Sequence, residues 1–467
     1  MQKRGWSLDS LTLIFSFIIV AQLLSYVIPQ GQFEMQPYPD NPDRSMVVPG
    51  TYAPVAAADE VTMPPWYFLL AITKGLADAQ DIIFLIFLVG GVIEILRRSG
   101  AIDAALHKAV ARLGHKPWIL IAGCFAMFSI GSFTIGMGEE YVPLIPIIVT
   151  MSLAMRMDAV VAMGMVWIPY GIGWGCAGIN PFGVMIAQNI ANVPLTSGWQ
   201  PRLVMMIVLL AIGFHHLYRY AMRVRRDPST SLVKHIDYGA GFEVPEDIRL
   251  TRPRIAILVI FALGLIGFVY GASNLHWYIA ELNAVFLAIG LIAALIVRMP
   301  AGEVSRVFLE GAAKMAAPAL IVGFARTIAI VLSDGQIIDS IVHSIAGLLE
   351  GMPPDVSAAG MLVVQSVTNF FIPSGSGQAF VTMPIMSPLA TLTGVPQQTA
   401  VLAYQFGDGL TNMIIPTNAL VIGALALGRV PYSAWVRFIG PLLVKLLAVA
   451  TIFLVLSIHI GAAVGFY

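Results

Sequence analysis

Charged side chains are scarce in this chain. Only 11% of its 467 residues are Asp, Glu, Lys or Arg, whereas 58% are hydrophobic; soluble domains carry about 25% charged residues. This shortage excludes a soluble fold, because a chain of this length could not bury so much apolar surface. Stretches of about 20 uncharged residues can cross a hydrocarbon core of ~30 Å as helices. We therefore predict an all-α, multi-pass protein of the inner (plasma) membrane.

Cysteine and net charge are equally limited. Cys124 and Cys176 both lie in apolar stretches and are interpreted as buried packing residues, and no residue spacing fits a metal site. The 26 basic residues balance 26 acidic ones, which argues against nucleic acid as a partner. No Ser–His, Cys–His or His–Asp cluster falls at membrane depth, so an intramembrane enzyme is disfavoured. We expect no cofactor.

The basic residues that are present mark the loops. They occur before the first apolar stretch, which we interpret as a retained span over 8–28, and in an amphipathic arm over 101–115. More of them open a polar segment over 223–253. The positive-inside rule places these loops in the cytoplasm. The proline-rich and acidic segment 29–64, where Arg44 is the only basic residue, is expected outside.

The two halves of the chain resemble each other. IPI at 145–147 and VPLTSGW at 193–199 in the first half match MPI at 383–385 and VPYSAW at 430–435 in the second. An amphipathic arm precedes each block, but the second arm, over 335–350, has no Lys or Arg. The basic first arm is therefore expected in the cytoplasm and the second arm outside. Equivalent arms on opposite sides of the membrane predict inverted repeats. The predicted units are a first repeat, a cytoplasmic linker and a second repeat over 1–222, 223–253 and 254–467.

Small residues interrupt the apolar runs of each half. We predict re-entrant hairpins over about 117–155 and 355–393, followed by broken spans over about 159–194 and 396–428. The hairpin tips are GMGEE at 136–140 and SGSGQ at 374–378, and the breaks lie in 171–181 and 407–418. Unpaired backbone at membrane depth is tolerated only where protein or trapped water satisfies it. Four such interruptions in equivalent positions therefore predict one enclosed site near the midplane.

Four charged residues lie far from any predicted loop: Glu139, Glu140, Arg326 and Asp408. Such residues cost roughly 2.5–3.5 kcal/mol each at a helix centre, so each needs a partner or a function. A structural alternative for Arg326 is an ion pair with Asp408. The glutamates could be solvated at the interface, with Glu139 favoured over Glu140 as the one that faces a substrate. Asp408 could cap broken backbone.

Neutral polar residues at the tips and breaks complete the predicted site. Hydroxyls, amides and free carbonyls can hold Na⁺ or a substrate carboxylate, although each alone is also typical of a helix-break cap. The predicted substrate-binding residues are Glu139, Glu140, Asn180, Ser374, Ser376, Gln378, Asn418 and Arg326. The predicted ion-binding residues are Asn180, Asp408, Asn412, Thr417 and Asn418.

Four strings carry a family resemblance: GMGEEYVPLIP, INPFGVMIAQNIANVPL, FGDGLTNMIIPTN and SGSGQAFVTMPIMSPLA. They resemble YfcC-type carriers, which are similar to DcuC-type four-carbon dicarboxylate carriers of the ion-transporter superfamily. The resemblance covers nearly the whole chain. It implies an elevator-type fold with a scaffold domain, often dimerising, and a mobile transport domain. It also implies secondary transport of small carboxylates, amino acids or short peptides. The Glu139–Glu140 pair departs from what a purely dianionic substrate requires.

We therefore expect an ion-coupled secondary transporter for a substrate with an amine and a carboxylate. The carboxylate would meet helix N-termini, residues 374–378 and Arg326, and the amine would meet Glu139 or Glu140. Coupling would use Na⁺ near Asn180, Asn418 and Asp408, or protonation of a carboxylate. The alternatives are an amino-acid or dicarboxylate exchanger without net ion coupling, and a channel.

Overall fold

The computed structural model of this protein describes residues 10–38, 41–113, 116–134, 136–239, 249–275, 277 and 279–466. The helices of the first half are α1 (Ser10–Leu24), α2 (Tyr67–Asp78), α3 (Gln80–Arg98), α4 (Ala101–Leu113), α5 (Pro117–Thr134), α6 (Ile145–Ala154), α7 (Ala159–Gly175), α8 (Val184–Ile190) and α9 (Trp199–Arg226). Short 3-10 helices cover Glu139–Leu144 and Pro228–Thr230.

The second half of the chain also consists of helices, and from the second amphipathic arm onward their order matches that of the first half. They are α10 (Arg252–Asn274), α11 (Ile279–Ile296), α12 (Ala301–Lys314), α13 (Ala316–Asp334), α14 (Ile338–Gly347), α15 (Pro354–Phe371), α16 (Gly375–Leu392), α17 (Gln397–Thr411), α18 (Ala419–Leu427) and α19 (Tyr432–Ile460). A 3-10 helix over Ala462–Val464 ends the described chain.

Several described helices are long and apolar enough to cross a membrane. They are α5, α9, α11, α13 and α19, and the bent pair α2–α3 is a sixth if it counts as one span. The two helices of that pair meet at an angle of 61°. The prediction of a multi-pass helical membrane protein is confirmed. The second apolar stretch is a bent pair rather than one uninterrupted span.

Four short strands depart from the all-α prediction. They are β1 (Gly31–Gln32), β2 (Met35–Tyr38), β3 (Asn41–Val47) and β4 (Ala53–Pro54), and they pair antiparallel as β1 with β4 and β2 with β3. This polar, proline-rich segment lies between spans, where an extended chain satisfies its backbone groups by local pairing. All-α therefore describes the membrane part and is wrong for residues 31–54.

The strand-bearing segment packs on the second amphipathic arm. The backbone N–H of Phe33 donates to Asp339 Oδ2 of α14 at 3.1 Å. The ring of Tyr52 stacks on that of His343, also on α14, with centroids 4.0 Å apart. The segment and the arm that we expect outside are thus in direct contact, so both belong to one side of the protein.

The helices of the predicted hairpins and broken spans occur in the same order in both halves. Helices α5 and α6, joined by the 3-10 helix, cover the first hairpin, and α15 and α16 cover the second. Helices α7 and α8 cover the first broken span, and α17 and α18 the second. Asn180 lies as far beyond the start of α7 as Asn418 lies beyond the start of α17.

The long helices of the two broken spans cross in the centre of the protein. Every residue of α7 is buried, as is almost all of α17. A Cβ on Gly409 would lie 2.3 Å from the backbone N of Gly175, and one on Gly171 would lie 2.4 Å from Met413. Residue numbers at these contacts rise along one chain segment as they fall along the other, so the two helices are antiparallel. Two repeats of opposite orientation would produce this crossing, and that orientation stays a prediction.

The predicted linker begins inside a helix, because α9 continues to Arg226. Residues 240–248 of the linker, and 114–115 of the first arm, lie outside the described residues. The start of the linker is fastened to α7 through Asp158. Its carboxylate accepts from Val161 N at 2.9 Å, from Tyr220 Oη at 2.6 Å and from Ser231 Oγ at 2.7 Å.

The inverted-repeat prediction can be tested by cysteine labelling. In a variant in which Cys124 and Cys176 are replaced, Arg112→Cys reports on α4 and Ser344→Cys on α14, and both positions are exposed. We expect a membrane-impermeant thiol reagent to label position 344 from outside and position 112 only after the membrane is opened, because only the first arm is basic. Labelling of both positions from the same side would contradict inverted repeats.

Candidate functional site

A cavity of about 760 Å³ opens where the hairpin tips and helix breaks meet. The first tip contributes Gly136 and Glu139, and the first break Trp174 and Pro181. The second tip contributes Ser374 and Ser376, and the second break Asn412 and Asn418. Helices α2, α3 and α13 add further lining residues, among them Asp78, Asp81 and Arg326. Both halves of the chain therefore enclose one space.

Asp408 lies fully buried beside this cavity, near the end of α17. Its Oδ2 accepts from Trp174 Nε1 at 2.5 Å, and its Oδ1 accepts from Asn412 Nδ2 at 2.9 Å. Both donors are neutral, and no Lys, Arg or His among the described residues forms an ion pair with Asp408. A buried carboxylate with only neutral donors can bind a cation or a proton.

Amide side chains continue from Asp408 into the second break. Asn369 Nδ2 donates to the backbone carbonyl of Asp408 at 3.0 Å and to Asn412 Oδ1 at 3.1 Å. Asn418 Nδ2 also donates to Asn412 Oδ1, at 2.9 Å, and Asn418 Oδ1 accepts from Leu420 N, which caps α18. The buried Oδ1 of Asn369 has no partner within the described ranges. It is an oxygen without a donor on an amide that contacts the backbone of Asp408.

Asn180 occupies the equivalent place in the first break. It is buried, and its Oδ1 accepts from Phe182 N at 2.7 Å, which turns the chain at Pro181. Its Nδ2 has no partner in the described part of the chain. Gly136 of the first tip has a φ of +72° and lies so close to Asn180 that a Cβ would come within 2.4 Å of Oδ1. The tip and the break are therefore in contact, and only glycine fits there.

The two adjacent glutamates of the first tip have different surroundings. Glu139 lines the cavity. Glu140 does not, and its Oε2 accepts from the backbone N of Gly138 at 2.7 Å, which closes the tip onto itself at the start of the 3-10 helix. The structure thus separates a cavity-facing carboxylate from one that holds the turn.

The polar residues of the second tip also divide. Ser374 and Ser376 line the cavity, and Ser374 Oγ caps α16 by accepting from Gly377 N at 3.4 Å. Gln378 lies deeper, and its Nε2 donates to Gln365 Oε1 at 2.6 Å. Thr417 is buried and donates to the carbonyl of Phe370 at 2.8 Å. Gln378 therefore joins the two helices of the second hairpin, Thr417 joins that hairpin to the second break, and neither residue lines the cavity.

Arg326 pairs with Asp78, so the alternative of an ion pair with Asp408 is wrong. Its Nε donates to Asp78 Oδ2, which joins α13 to the end of α2. Both side chains line the cavity. Sequence indicates that Arg326 lies deep in an apolar helix, but the rotation of α13 about its axis decides which carboxylate it reaches. Here that rotation directs it to the bend between α2 and α3.

The polar residues at or beside the site that were not singled out from the sequence include Asp78, Asp81, Trp174 and Asn369. Asp78 and Asp81 are acidic residues within the second apolar stretch, a signal for the bend there. Trp174 is a large side chain in an otherwise glycine-rich break. Asn369 follows Thr368 near the end of an apolar run, five residues before the start of the second tip. In each case a polar group beside an interruption was the available signal.

An apolar helical bundle in which hairpin tips and broken helices enclose one polar cavity is the architecture of a membrane transporter. The chain belongs to the family described as "DcuC: C4-dicarboxylate anaerobic carrier", which matches residues 8–459. The predicted resemblance to YfcC-type and DcuC-type carriers is confirmed.

The relatives are similar over nearly their full length. The chain is 31% identical to YfcC of Escherichia coli (strain K12), a protein whose name proposes a basic amino acid antiporter, over 95% of both chains. It is 28% identical to an uncharacterized protein of Haemophilus influenzae over 98% of both.

Two solved transporter structures are also similar to the chain. The YdaH transporter of Alcanivorax borkumensis is 15% identical with a TM-score of 0.41, covering 97% of this chain and 99% of that one. MtrF of Neisseria gonorrhoeae is 17% identical with a TM-score of 0.39, covering 96% and 94%.

Proposed function

We propose that this transporter is ion-coupled and carries small carboxylate-bearing substrates, amino acids or short peptides, across the inner membrane. The observation that carries the proposal is the shared cavity, because it exposes Glu139 to a substrate amine and Arg326 to a substrate carboxylate. The N-terminus of α16 at Ser374 adds backbone donors for a carboxylate. The Escherichia coli relative, named for basic amino acids, agrees with a substrate that carries an amine.

Asp408 supplies the coupling site in this proposal. It faces only neutral donors, and Asn369 Oδ1 is an oxygen without a donor, a combination that suits Na⁺. Asn180, Asn412, Thr417 and Asn418 would provide further oxygens when the breaks adjust around the ion. Protonation of Asp408 is the second way to neutralise the charge, and the ion dependence of uptake distinguishes the two.

We propose an elevator mechanism, in which one set of helices stays fixed and the other moves. Helices α2, α3, α12 and α13 pack on one another, with a Cβ on Gly311 only 2.4 Å from the carbonyl of Gly90, and would form the scaffold. The hairpins and broken spans would move as the transport domain. At the boundary, Gly423 of α18 packs against Val322 of α13, an apolar contact that can slide. We also propose a homodimer held through the scaffold.

The proposal is tested with purified protein in liposomes. Amino acids, dipeptides and dicarboxylates are first compared by thermal shift with and without Na⁺, since a ligand of the native state raises its melting temperature. Uptake of the best ligand is then measured under a Na⁺ gradient, a proton gradient or none. We expect saturable accumulation of an amine-bearing substrate that requires one of the two ion gradients.

Two outcomes would overturn ion-coupled transport. Flux that does not saturate would indicate a channel. Uptake that depends on internal substrate and ignores both ion gradients would indicate an exchanger, the alternative favoured by the word antiporter in the name of the Escherichia coli relative. Accumulation of dicarboxylates alone would reject the substrate class and leave the transporter class intact.

A further inference from the structure

The ion pair between Asp78 and Arg326 lies in the cavity wall formed by α2 and α13. The side chains remain 38% and 30% exposed, so a bound molecule can reach both. Asp81, three residues beyond Asp78, lines the same wall, and its carboxylate has no hydrogen bond or ion pair within the described ranges. With Glu139, the cavity has three carboxylates and one guanidinium among its lining side chains.

The same two helices are joined a second time outside the cavity. Lys74 of α2 pairs with Asp334 of α13, with Nζ and Oδ2 2.8 Å apart, and Tyr67 Oη donates to the same carboxylate. Neither Lys74 nor Asp334 lines the cavity. Small residues bring the helices together as well, since a Cβ on Gly75 would lie 2.7 Å from the carbonyl of Gly323. The packing of α2 on α13 therefore does not depend on Asp78 and Arg326.

Asp78 occupies Nε of Arg326, so a substrate carboxylate that binds the guanidinium side-on, through Nε and one Nη, competes with Asp78. If it displaces Asp78, that carboxylate loses its positive partner three residues from Asp81, a like charge, and another cation would restore the pairing. Glu139 already accounts for one substrate amine in the proposed function. A second positive group on the substrate can replace Arg326 as the partner of Asp78. Asp81 lines the same wall and can contact that group as well.

We propose that Asp78 is a specificity-determining residue that is released from Arg326 when substrate binds and then takes a second cationic group of the substrate. The proposal rests on the proposed function, because it requires the substrate carboxylate at Arg326. It implies that a substrate with two ammonium groups binds better than its counterpart with one. A dicarboxylate is rejected because it would place a second negative charge near Asp78, Asp81 and Glu139.

L-Lysine and L-norleucine are the matched probes, since they differ chiefly in the terminal ammonium group. We expect wild-type protein in liposomes to take up lysine with a half-saturating concentration roughly 10-fold or more below that of norleucine, the typical effect of a hydrogen bond to a charged group. In Asp78→Asn the ratio of the half-saturating concentrations of norleucine and lysine should fall to near one, because the side chain at position 78 no longer carries a charge. Asp78→Glu should restore most of the preference.

Asp334→Asn is the control variant, because it breaks the other ion pair between α2 and α13 and leaves the cavity unchanged. We expect it to keep the lysine preference, and melting temperatures check that all variants fold. If Asp78→Asn folds, transports and still prefers lysine, or if wild type takes up both probes equally, the role of Asp78 is refuted and the proposed function stands. If wild type transports neither probe, the role of Asp78 is also refuted, and the screen of amino acids, dipeptides and dicarboxylates decides the proposed function separately.

Discussion

Asp408→Asn is expected to lower ion-driven uptake roughly 10-fold to 100-fold, the range set by hydrogen bonds and contacts to a charged group. The substitution keeps the shape of the side chain and one acceptor oxygen, but it removes the charge. One of the two donors, Trp174 Nε1 or Asn412 Nδ2, then loses its acceptor. The remaining uptake should depend less steeply on the coupling ion, because the site no longer needs a cation. Uptake in liposomes at a series of Na⁺ concentrations and pH values measures both effects.

Asp158→Asn is the matched control for this variant. Asp158 is also buried, and Tyr220, Ser231 and the backbone N–H of Val161 are its neutral donors. It lies at the other end of α7, ~24 Å along the helix from Trp174. We expect Asp158→Asn to lower stability and to leave the ion dependence unchanged. Asp408→Glu retains the charge and should keep part of the coupling.

Unchanged uptake by Asp408→Asn, with the same ion dependence as wild type, would leave Asp408 as a structural acceptor for Trp174 and Asn412. A group other than Asp408 would then have to bind the coupling ion. An equal loss of ion dependence in Asp158→Asn would show instead that any buried carboxylate change perturbs transport. Only a loss specific to Asp408 supports its proposed role.

The arrangement of elements along the chain was accessible from sequence. Interruptions by small residues predicted a hairpin over 355–393, and the structure has α15 and α16 at Pro354–Phe371 and Gly375–Leu392. Such boundaries are readable because apolar runs must be long to cross a membrane and because glycine, serine and proline end helices. The same reasoning missed the bend after Asp78, since one residue, Ala79, separates α2 from α3 without a loop composition.

The composition of the site was accessible only in part. Depth in an apolar run identified Glu139, Arg326 and Asp408, but depth does not give the direction of a side chain. Arg326 points to Asp78, a residue from the other half of the chain, because α13 packs on α2. Pairings of this kind depend on which helices are neighbours and how each is rotated, and a single sequence gives neither.

The four short strands could not be predicted from the sequence for a different reason. Residues 31–54 show no regular alternation, and their pairing joins stretches as short as Gly31–Gln32 with Ala53–Pro54. Their position follows from contacts with α14, such as that between Phe33 and Asp339, rather than from a local preference. Tertiary contact decides such elements.

Glu139→Gln is expected to raise the half-saturating concentration of amine-bearing substrates roughly 10-fold to 100-fold and to spare analogues that lack the amine. Glu139 lines the cavity and would pair with the amine, whereas an analogue without that group makes no such contact. A neutral glutamine keeps the size of the side chain and loses the charge. Uptake of an amino acid and of its deaminated analogue, each measured over a range of concentrations, separates the two cases.

Glu140→Gln is the matched control at the adjacent position. Its Oε2 accepts from Gly138 N within the tip, and glutamine retains an acceptor for that hydrogen bond. We therefore expect uptake within roughly 5-fold of wild type, the effect of weakening one neutral hydrogen bond. Glu140→Ala removes the acceptor and should lower the melting temperature, because the tip loses its closing contact.

The pH dependence of the two variants distinguishes amine recognition from proton transport. If Glu139 carries the coupling proton, Glu139→Gln should abolish the pH dependence of uptake for every substrate alike, with or without an amine. If it recognises the amine, the pH dependence should remain and only the amine-bearing substrates should weaken. Normal transport by Glu139→Gln at all pH values would show that Glu139 is merely solvated at the tip. The proposal of an amine-bearing substrate would then lose the residue on which it rests.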